Sequence, residues 1–256
     1  MIHPTAIIDP KASVADDCEI GAYSIIGADV ELGSGCVIGP HVVISGPTRL
    51  GRNNRIYQFA SLGEAPQDLK YNGEPTRLEL GDNNTVREYV TMNRGTVDGG
   101  GLTSVGNDNL FMGYTHVAHD CHIGNHTVFS NGASLAGHVT VGDYAIFGGF
   151  TLVHQFSVIG AHAFTGMGTA VNRDVPPFTM ASGNHAHAVG INKKGLRRRG
   201  FTDETVSALH RAYMLLVKQR GGRDEAVQQL QDSMDQFPEV REFVDFVLNS
   251  QRGIVR

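Results

Sequence analysis

The stretch IHPTAIIDPKASVADDCEIGAYSIIGADVELGSGCVIGPHVVI, residues 2–44, has an aliphatic residue at every sixth position. Such a period identifies a structural repeat, whereas an amphipathic α-helix would show apolar spacings of three and four. Six residues fit one short strand and one turn, and three such units close a triangular coil of eighteen residues with the aliphatic side chains inside. We therefore predict a mainly β fold, a parallel β-helix made of hexapeptide repeats.

The period has two interruptions. It continues to Leu62 and resumes in the same phase at Leu80, which indicates an insertion at about residues 64–79 while the helix continues beneath it. Across a glycine-rich segment, at about residues 95–104, the phase shifts by one position and then holds to Val171. Two loops are therefore expected to leave an otherwise regular solenoid.

Glycine directly follows many of the periodic aliphatic residues, as at Gly21, Gly33 and Gly51. Glycine at a repeated corner suits either unusual backbone dihedrals or a close approach between two backbones. The sequence does not decide between these two reasons.

The periodic pattern ends at the paired prolines Pro176 and Pro177, which we expect to stop regular strand pairing. The composition then becomes helical. Thr202 is a predicted N-cap, and two further helices are predicted at about Asp224 to Met234 and Pro238 to Ser250. The predicted division is a β-helix, residues 1–190, and an α-helical C-terminal domain, residues 191–256.

Composition narrows the classes of function. The 256 residues have a formal net charge of -5, which argues against a general nucleic-acid surface or anionic-membrane surface. No segment has the pattern of a signal peptide or the length of a transmembrane helix, so we expect a cytoplasmic protein without membrane insertion. The three cysteines lack disulfide or metal spacing and are interpreted as small buried or half-buried thiols: Cys18, Cys36 and Cys121.

Histidines indicate where the chemistry lies. Val117, Leu135 and Val153 are each one coil apart, so they stack, and a histidine lies within three residues after each of them: His119, His138 and His154. Neighbouring coils are roughly 4.8 Å apart, so these three side chains are expected to line one edge and share a small-molecule site. Two other interpretations remain open: solvated or trimer-contact side chains, and a zinc site like that of the trimeric β-helix carbonic anhydrases.

Several longer motifs resemble the UDP-N-acetylglucosamine 3-O-acyltransferases of lipid A biosynthesis over nearly the whole chain. The motifs are IYQFASLGEAPQDLKYNGEPTRL at 56–78, RGTVDGGGLTSVG at 94–106, HVAHDCHIGN at 116–125, LAGHVTV at 135–141, VHQF at 153–156 and GLRRRGF at 195–201. The resemblance implies a left-handed β-helix and a homotrimer with clefts between subunits. It also implies direct transfer of an (R)-3-hydroxyacyl group from acyl carrier protein to UDP-N-acetylglucosamine, with no cofactor and no metal.

The resemblance also implies roles for individual residues. His119 would be the general base that takes the proton of the sugar 3-hydroxyl, Asp120 would orient it, and the backbone N–H of Gly137 would stabilise the oxyanion. Neutral imidazole suits proton transfer near neutral pH. The implied substrate-binding residues are Asp68, Lys70, His116, His138, His154, Gln155, Asn192, Arg198 and Arg199.

At three positions this chain has a different residue from the one that is usual in the family. Asn93 stands where histidine is frequent, and Lys194 stands where an acidic residue is usual. Met167 stands where members that accept long acyl chains have glycine, so we expect a medium chain of about ten carbons, because each extra methylene against a rigid wall costs about 1–3 kcal/mol.

Two alternative functions stay open at this stage. The same chemistry on a 3-amino sugar nucleotide is compatible with the departures at Asn93 and Lys194. A β-helix that binds acyl carrier protein without catalysis is compatible with the repeat alone, because solenoid repeats serve binding as well as catalysis.

Overall fold

The computed structural model describes residues 1–219 and 222–256, and its β-strands wind into a left-handed parallel β-helix. Within these residues the strands form three sheets. The first sheet contains Ile7–Ile8, Ile25–Ile26, Val43–Ile44, Ser61–Glu64, Thr91–Asn93, His116–Val117, Ser134–Leu135, Leu152–Val153 and Ala170–Val171. The second contains Ser13–Val14, Val30–Leu32, Thr48–Leu50, Arg77–Leu80, Leu102–Val105, His122–Ile123, Thr140–Val141 and Val158–Ile159. The third contains Glu19–Ile20, Val37–Ile38, Arg55–Ile56, Thr85–Val86, Leu110–Phe111, Val128–Phe129, Ile146–Phe147, Phe164–Thr165, Thr179–Ser182 and His187–Ile191.

The register confirms the predicted coil. Val117 pairs with Leu135 and Leu135 with Val153, so residues one coil apart lie side by side in the first sheet. Leu80 pairs with Leu50 on one side and with Val105 on the other, across both interruptions of the period. The extra residues therefore bulge outward as loops while the coil continues beneath them.

The periodic aliphatic positions point inward and are buried from Ile20 to Val171. Three stacked rings, Phe111, Phe129 and Phe147, extend the core with centroids 4.8 and 4.4 Å apart. Thr165, which interrupts the aliphatic pattern, also points inward, and its hydroxyl lies 2.9 Å from that of Thr151. A buried hydroxyl is tolerated there because it has a hydrogen-bonding partner.

The corner glycines are explained by close backbone approach. A Cβ added at Gly33 would lie 2.7 Å from the carbonyl carbon of Gly51 in the next coil, and neither residue has a positive φ. The left-handed backbone position of each turn is instead often occupied by a larger residue, such as Tyr23, Asp120 or His138. These residues stack in columns along the corners of the triangle.

Strand pairing continues past the prolines, which corrects our expectation that it would stop there. Thr179–Ser182 pairs in parallel with Phe164–Thr165 and antiparallel with His187–Ile191. The prolines lie in the connecting turn, where no ladder hydrogen bond is needed.

The C-terminal helices are α1 (Lys193–Arg198), α2 (Asp203–Tyr213), α3 (Arg223–Gln236) and α4 (Pro238–Asn249), and α2 continues into a π-helical turn, Met214–Lys218. The predicted cap is confirmed, since the Thr202 hydroxyl accepts the Thr205 N–H at 3.2 Å. α1 was not predicted from the sequence.

The chain end packs on the last coil. The Ser250 hydroxyl donates to the Asp174 carboxylate at 2.6 Å. The backbones of Ile254 and Asp174 also form an isolated parallel β-bridge. None of the helices in the described residues has the length and apolar character needed to cross a membrane.

Candidate active site

The candidate site lies at the corner between the first and second sheets, which we call the site corner. The two insertions leave the helix at this corner, after Ser61–Glu64 and after Thr91–Asn93. The next turns stack directly above them: the His138 N–H donates to the His119 carbonyl at 3.0 Å, and the Phe156 N–H donates to the Gly137 carbonyl at 3.1 Å. One column therefore contains His119 and Gly137, and a second contains Asp120, His138 and Phe156.

His119 and Asp120 form a close pair. The His119 Nδ1 lies 2.7 Å from the Asp120 Oδ2, and the two side chains are 15% and 1% exposed. The Thr96 hydroxyl donates to the same Oδ2 at 2.6 Å, and the Thr96 backbone N–H donates to Oδ1 at 2.8 Å. A carboxylate held in this way favours a proton on Nδ1 and leaves Nε2 of His119 as the basic nitrogen.

His138 lies above this pair. Its ring stacks on Phe156 at 4.4 Å, with the planes 7° apart, and it meets the His119 ring edge-on at 5.1 Å. Its Nε2 is 3.7 Å from the Asp120 Oδ2. The structure therefore brings His119 and His138 together, as the sequence predicted.

Gly137 lies against the imidazole of His119. A Cβ at this position would come within 2.6 Å of the His119 Cε1, so only glycine leaves the ring in place. Among the described residues, no hydrogen-bond acceptor is found for the Gly137 N–H. A backbone donor without a partner beside a basic nitrogen can serve a developing oxyanion.

Two adjoining cavities meet at His119 and Gln67. The smaller cavity, of about 410 Å³, is largely apolar and is lined by Gln67, His116, Ala118, His119, Ser134, Leu135, Ala136, Gly137, Leu152 and Val153. The larger, of about 710 Å³, is more polar and is lined by Gln67, Asp68, Leu69, Lys70, Thr96, Asp98, His119, His138, Gln155 and Phe156. An acyl chain suits the first environment and a polar acceptor suits the second.

His116 lines the smaller cavity. Its Nδ1 lies 2.7 Å from the Thr91 hydroxyl. Burial, with a smaller contribution from His119, lowers the pKa of His116 below its ordinary value. The ring therefore stays neutral near pH 7 and can accept or donate a hydrogen bond.

His154 does not join the other two histidines, contrary to the prediction that all three share one site. It lines a separate cavity of about 230 Å³, and its Nδ1 lies 3.2 Å from Nη2 of Arg252. The reason is the offset within the repeat: His154 follows its inward residue by one position, whereas His119 follows by two and His138 by three. His154 therefore lies at the end of the first-sheet strand Leu152–Val153, whereas His119 and His138 lie farther along their turns in two adjacent columns, where their rings meet.

Three of the implied substrate-binding residues, Asn192, Arg198 and Arg199, lie away from the site corner in this chain. The Asn192 side chain caps α1 by accepting the Gly195 N–H at 3.1 Å. Arg198 is exposed, and the Arg199 guanidinium lies 5.1 Å from the Tyr144 ring and donates to the Tyr144 carbonyl at 3.1 Å. Tyr144 belongs to the corner between the second and third sheets.

The remaining predicted positions are peripheral. Met167 is 81% exposed in the turn between the third and first sheets. Asn93 is buried, and its amide donates to the Ala65 carbonyl at 2.9 Å, which anchors the start of the first insertion. Lys194 is exposed on α1.

Two other kinds of chemistry can be assessed at this corner. Burial raises the pKa of Cys121 to about 12, so a thiolate nucleophile is disfavoured. One nitrogen or oxygen atom from each of His119, Asp120 and His138 lies within 4.8 Å of the others, a donor set that suits Zn²⁺. Both Asp120 oxygens already accept hydrogen bonds from Thr96, so a metal ion would compete with these bonds.

Sequence reasoning missed Thr96 and Gln67 as site residues. Both belong to motifs that were noted only as family markers, RGTVDGGG and GEAPQDLK. Nothing in the period predicts how an insertion folds back, so their placement came only from the structure.

Two protein-family models match parts of this chain. A family model described as UDP-N-acetylglucosamine O-acyltransferase, domain 2, matches residues 174–255, and a bacterial transferase hexapeptide model matches residues 103–137. An acyl-[acyl-carrier-protein]--UDP-N-acetylglucosamine O-acyltransferase from Halorhodospira halophila is 54% identical, over 100% of this chain and 99% of the relative.

The chain belongs to the UDP-N-acetylglucosamine O-acyltransferase family. It is therefore an enzyme, an acyltransferase. Solved structures agree: LpxA from Acinetobacter baumannii superimposes with a TM-score of 0.96 at 47% identity, covering 100% of this chain and 99% of that one. UDP-N-acetylglucosamine O-acyltransferase from Moraxella catarrhalis gives a TM-score of 0.97 at 45% identity, with the same coverage. The family likeness thus extends over the whole fold.

Proposed function

We propose that this acyltransferase moves an (R)-3-hydroxyacyl group from acyl carrier protein to the 3-hydroxyl of UDP-N-acetylglucosamine, with His119 as general base. The observation that supports it best is the position of His119, between an apolar and a polar cavity and backed by a buried carboxylate. The curated relatives are named for both substrates.

The chemistry follows from these positions. Nε2 of His119 takes the proton of the sugar 3-hydroxyl while its oxygen attacks the thioester carbon. The Gly137 N–H donates to the oxyanion of the tetrahedral intermediate. When the intermediate collapses, the carbon–sulfur bond breaks and the imidazolium returns its proton to the departing thiolate. Asp120 stabilises the imidazolium through the 2.7 Å contact with Nδ1.

The polar cavity is the proposed sugar site, with Asp68, Lys70, His138 and Gln155 at its walls. His116 would contact the substrate from the wall of the smaller, apolar cavity. His154, Asn192, Arg198 and Arg199 are retained as proposed binding residues. Because Arg199 packs at a different corner from His119, a single chain does not bring it to the sugar. A homotrimer with its site between subunits would do so, and the 105% exposed Leu69 at the insertion is consistent with such a contact.

A medium acyl chain is part of the proposal. Met167 lies in the turn at one edge of the first sheet, and His119 lies in the turn at the other edge. An acyl chain that crosses this face from the thioester would end near Met167. We expect a ten-carbon donor to react at least about 10-fold faster than a fourteen-carbon donor, and Met167→Gly to reduce that preference. Equal rates in the parent enzyme would contradict this part.

The decisive assay follows product formation from UDP-N-acetylglucosamine and 3-hydroxydecanoyl carrier protein. His119→Ala should lower kcat by roughly 10²–10⁴. His122→Ala is the matched control, because His122 lies on the same coil, is exposed and its imidazole contacts only Ser104 among the described side-chain hydrogen bonds.

Inactivity of the parent enzyme with every acyl length would favour the alternatives. Turnover of the 3-amino sugar nucleotide in its place would identify that substrate. Carrier-protein binding without any turnover would favour the scaffold.

A further inference from the structure

The second insertion loop, residues 94–101, folds over the carboxylate of Asp120. The Thr96 hydroxyl donates to Oδ2 at 2.6 Å and its backbone N–H donates to Oδ1 at 2.8 Å, with both contacts buried. From the other side, the Asp120 N–H donates to the Thr103 hydroxyl at 2.8 Å. One residue thus binds both oxygens of the carboxylate and prevents its rotation.

The direction of the Thr96 hydroxyl is itself fixed. The Gly99 N–H donates to Thr96 Oγ1 at 3.3 Å, so the hydroxyl proton is left to point at Asp120. The Thr96 carbonyl accepts the N–H groups of Gly99 and Gly101 at 3.1 and 2.7 Å, which closes the loop into a compact turn. A Cβ at Gly99 would overlap the Asp120 carboxylate, so the loop can close only with glycine there.

We propose that Thr96 is a positioning residue for catalysis, which holds Asp120 so that its Oδ2 orients the imidazole of His119. The proposal rests on the proposed function, in which His119 is the base. Oδ2 is the oxygen that both the Thr96 hydroxyl and Nδ1 of His119 contact, at 2.6 and 2.7 Å. Freeing that oxygen would let the imidazole rotate and lose the aligned Nε2. Carboxylates that orient a histidine are commonly held by such outer contacts.

Thr96 also lines the larger cavity, so the competing interpretation is direct contact with the sugar nucleotide. The two roles differ in kinetics, because a residue that acts through the base changes kcat, whereas a ground-state binding contact changes KM. The test therefore measures kcat and KM for UDP-N-acetylglucosamine separately.

Thr96→Val removes the hydroxyl donor at constant shape, and Thr96→Ser retains it. We expect Thr96→Val to lower kcat about 10–100-fold with KM within about twofold of the parent enzyme, and Thr96→Ser to recover most of the loss. Thr48→Val is the matched control, since its buried hydroxyl donates to the Ser45 carbonyl at 2.6 Å, outside the site. A raised KM at unchanged kcat would overturn the proposal and make Thr96 a substrate contact.

A double variant shows whether Thr96 acts through Asp120. In the Asp120→Asn background, Thr96→Val should cause no further loss of kcat, because the interaction is already broken. Losses that multiply would overturn the proposal. If Thr96→Val melts below the assay temperature, Thr96→Ala provides the same test, since it also removes the hydroxyl donor and adds no atom beside the Asp120 carboxylate.

Failure of this inference can be distinguished from failure of the proposed function. An inert parent enzyme, or an active His119→Ala, would refute the function itself. A fully active Thr96→Val in an active parent would refute only the positioning role.

Discussion

Two corners of the β-helix each stack an aspartate, a histidine and an aromatic residue in successive coils. The site corner stacks Asp120, His138 and Phe156, and the corner between the second and third sheets stacks Asp108, His126 and Tyr144. The carboxylate and the histidine nitrogen are 3.7 Å apart in the first triplet and 3.9 Å apart in the second. The stacked triplet is therefore a property of the coil and does not by itself make a site.

The environment separates the two corners. The Asp120 side chain is 1% exposed and that of Asp108 is 41% exposed. Asp120 is preceded by His119 and covered by Thr96, whereas Asp108 is preceded by Asn107, whose side-chain amide donates to the side-chain oxygen Oδ1 of Asn125 at 3.1 Å. The site corner thus differs from the other corner by one additional histidine and one covering loop.

The strongest test of this comparison exchanges each carboxylate for an amide. Asp120→Asn should lower kcat at least about 10²-fold, because an amide does not favour the proton on Nδ1 of His119 or stabilise the imidazolium. Asp108→Asn, at the same left-handed backbone position, should keep kcat within about twofold. Steady-state kinetics of both purified variants provide the comparison, and equal losses would show that the two corners do not differ as described.

A smaller effect is expected from the space above the base. Gly137→Ala should lower kcat about 10–100-fold. The added Cβ would lie only 2.6 Å from the His119 Cε1, so the ring must shift and its Nε2 is misplaced. Gly113→Ala is the control at the equivalent position of the third corner, where the nearest atom to an added Cβ is 3.3 Å away. Thermal melts should be recorded beside the kinetics. Full activity of Gly137→Ala would show that the ring tolerates a shift.

At the corner between the second and third sheets, the titration of His162 is expected to affect the stability of the fold. Burial, and then the charge of Arg199, lowers the pKa of His162 from 6.5 to about 4. The unfolded chain therefore binds this proton first, and the free energy of unfolding should fall as the pH drops from about 6.5 to about 4. His162→Phe removes the titration and should reduce the loss between pH 7 and pH 5 in urea melts. An unchanged parent–variant difference at the two pH values would contradict this origin.

The sequence predicted the coil because one aliphatic residue every sixth position has few other physical explanations. It also predicted the neighbourhood of His119 and His138, since the period fixes which residues lie one coil apart. It did not predict that His154, which directly follows the strand Leu152–Val153, would line a separate cavity with residues of that strand and of Ala170–Val171.

The remaining site features depend on loops that have no period. Thr96 reaches the site through an insertion held by hydrogen bonds to Asp120. Gln67 reaches it through an insertion anchored by the Asn93 amide at Ala65, so both paths depend on residues far along the chain. Pairing beyond Pro177 was likewise missed, since a turn can accommodate prolines that a strand interior would not. The sequence pattern predicts the placement of side chains where the structure repeats, and it does not predict that placement in the loops that depart from the repeat.

The role of His119 as the base can be tested by the single-turnover rate of acyl transfer, with enzyme in excess over 3-hydroxydecanoyl carrier protein and with saturating UDP-N-acetylglucosamine. Rapid quenching isolates the chemical step from binding and release. We expect this rate to fall by at least about 10² in His119→Ala, because the variant has no base for the sugar hydroxyl. An unchanged single-turnover rate, with only the steady-state rate reduced, would contradict this role and place His119 in binding or product release.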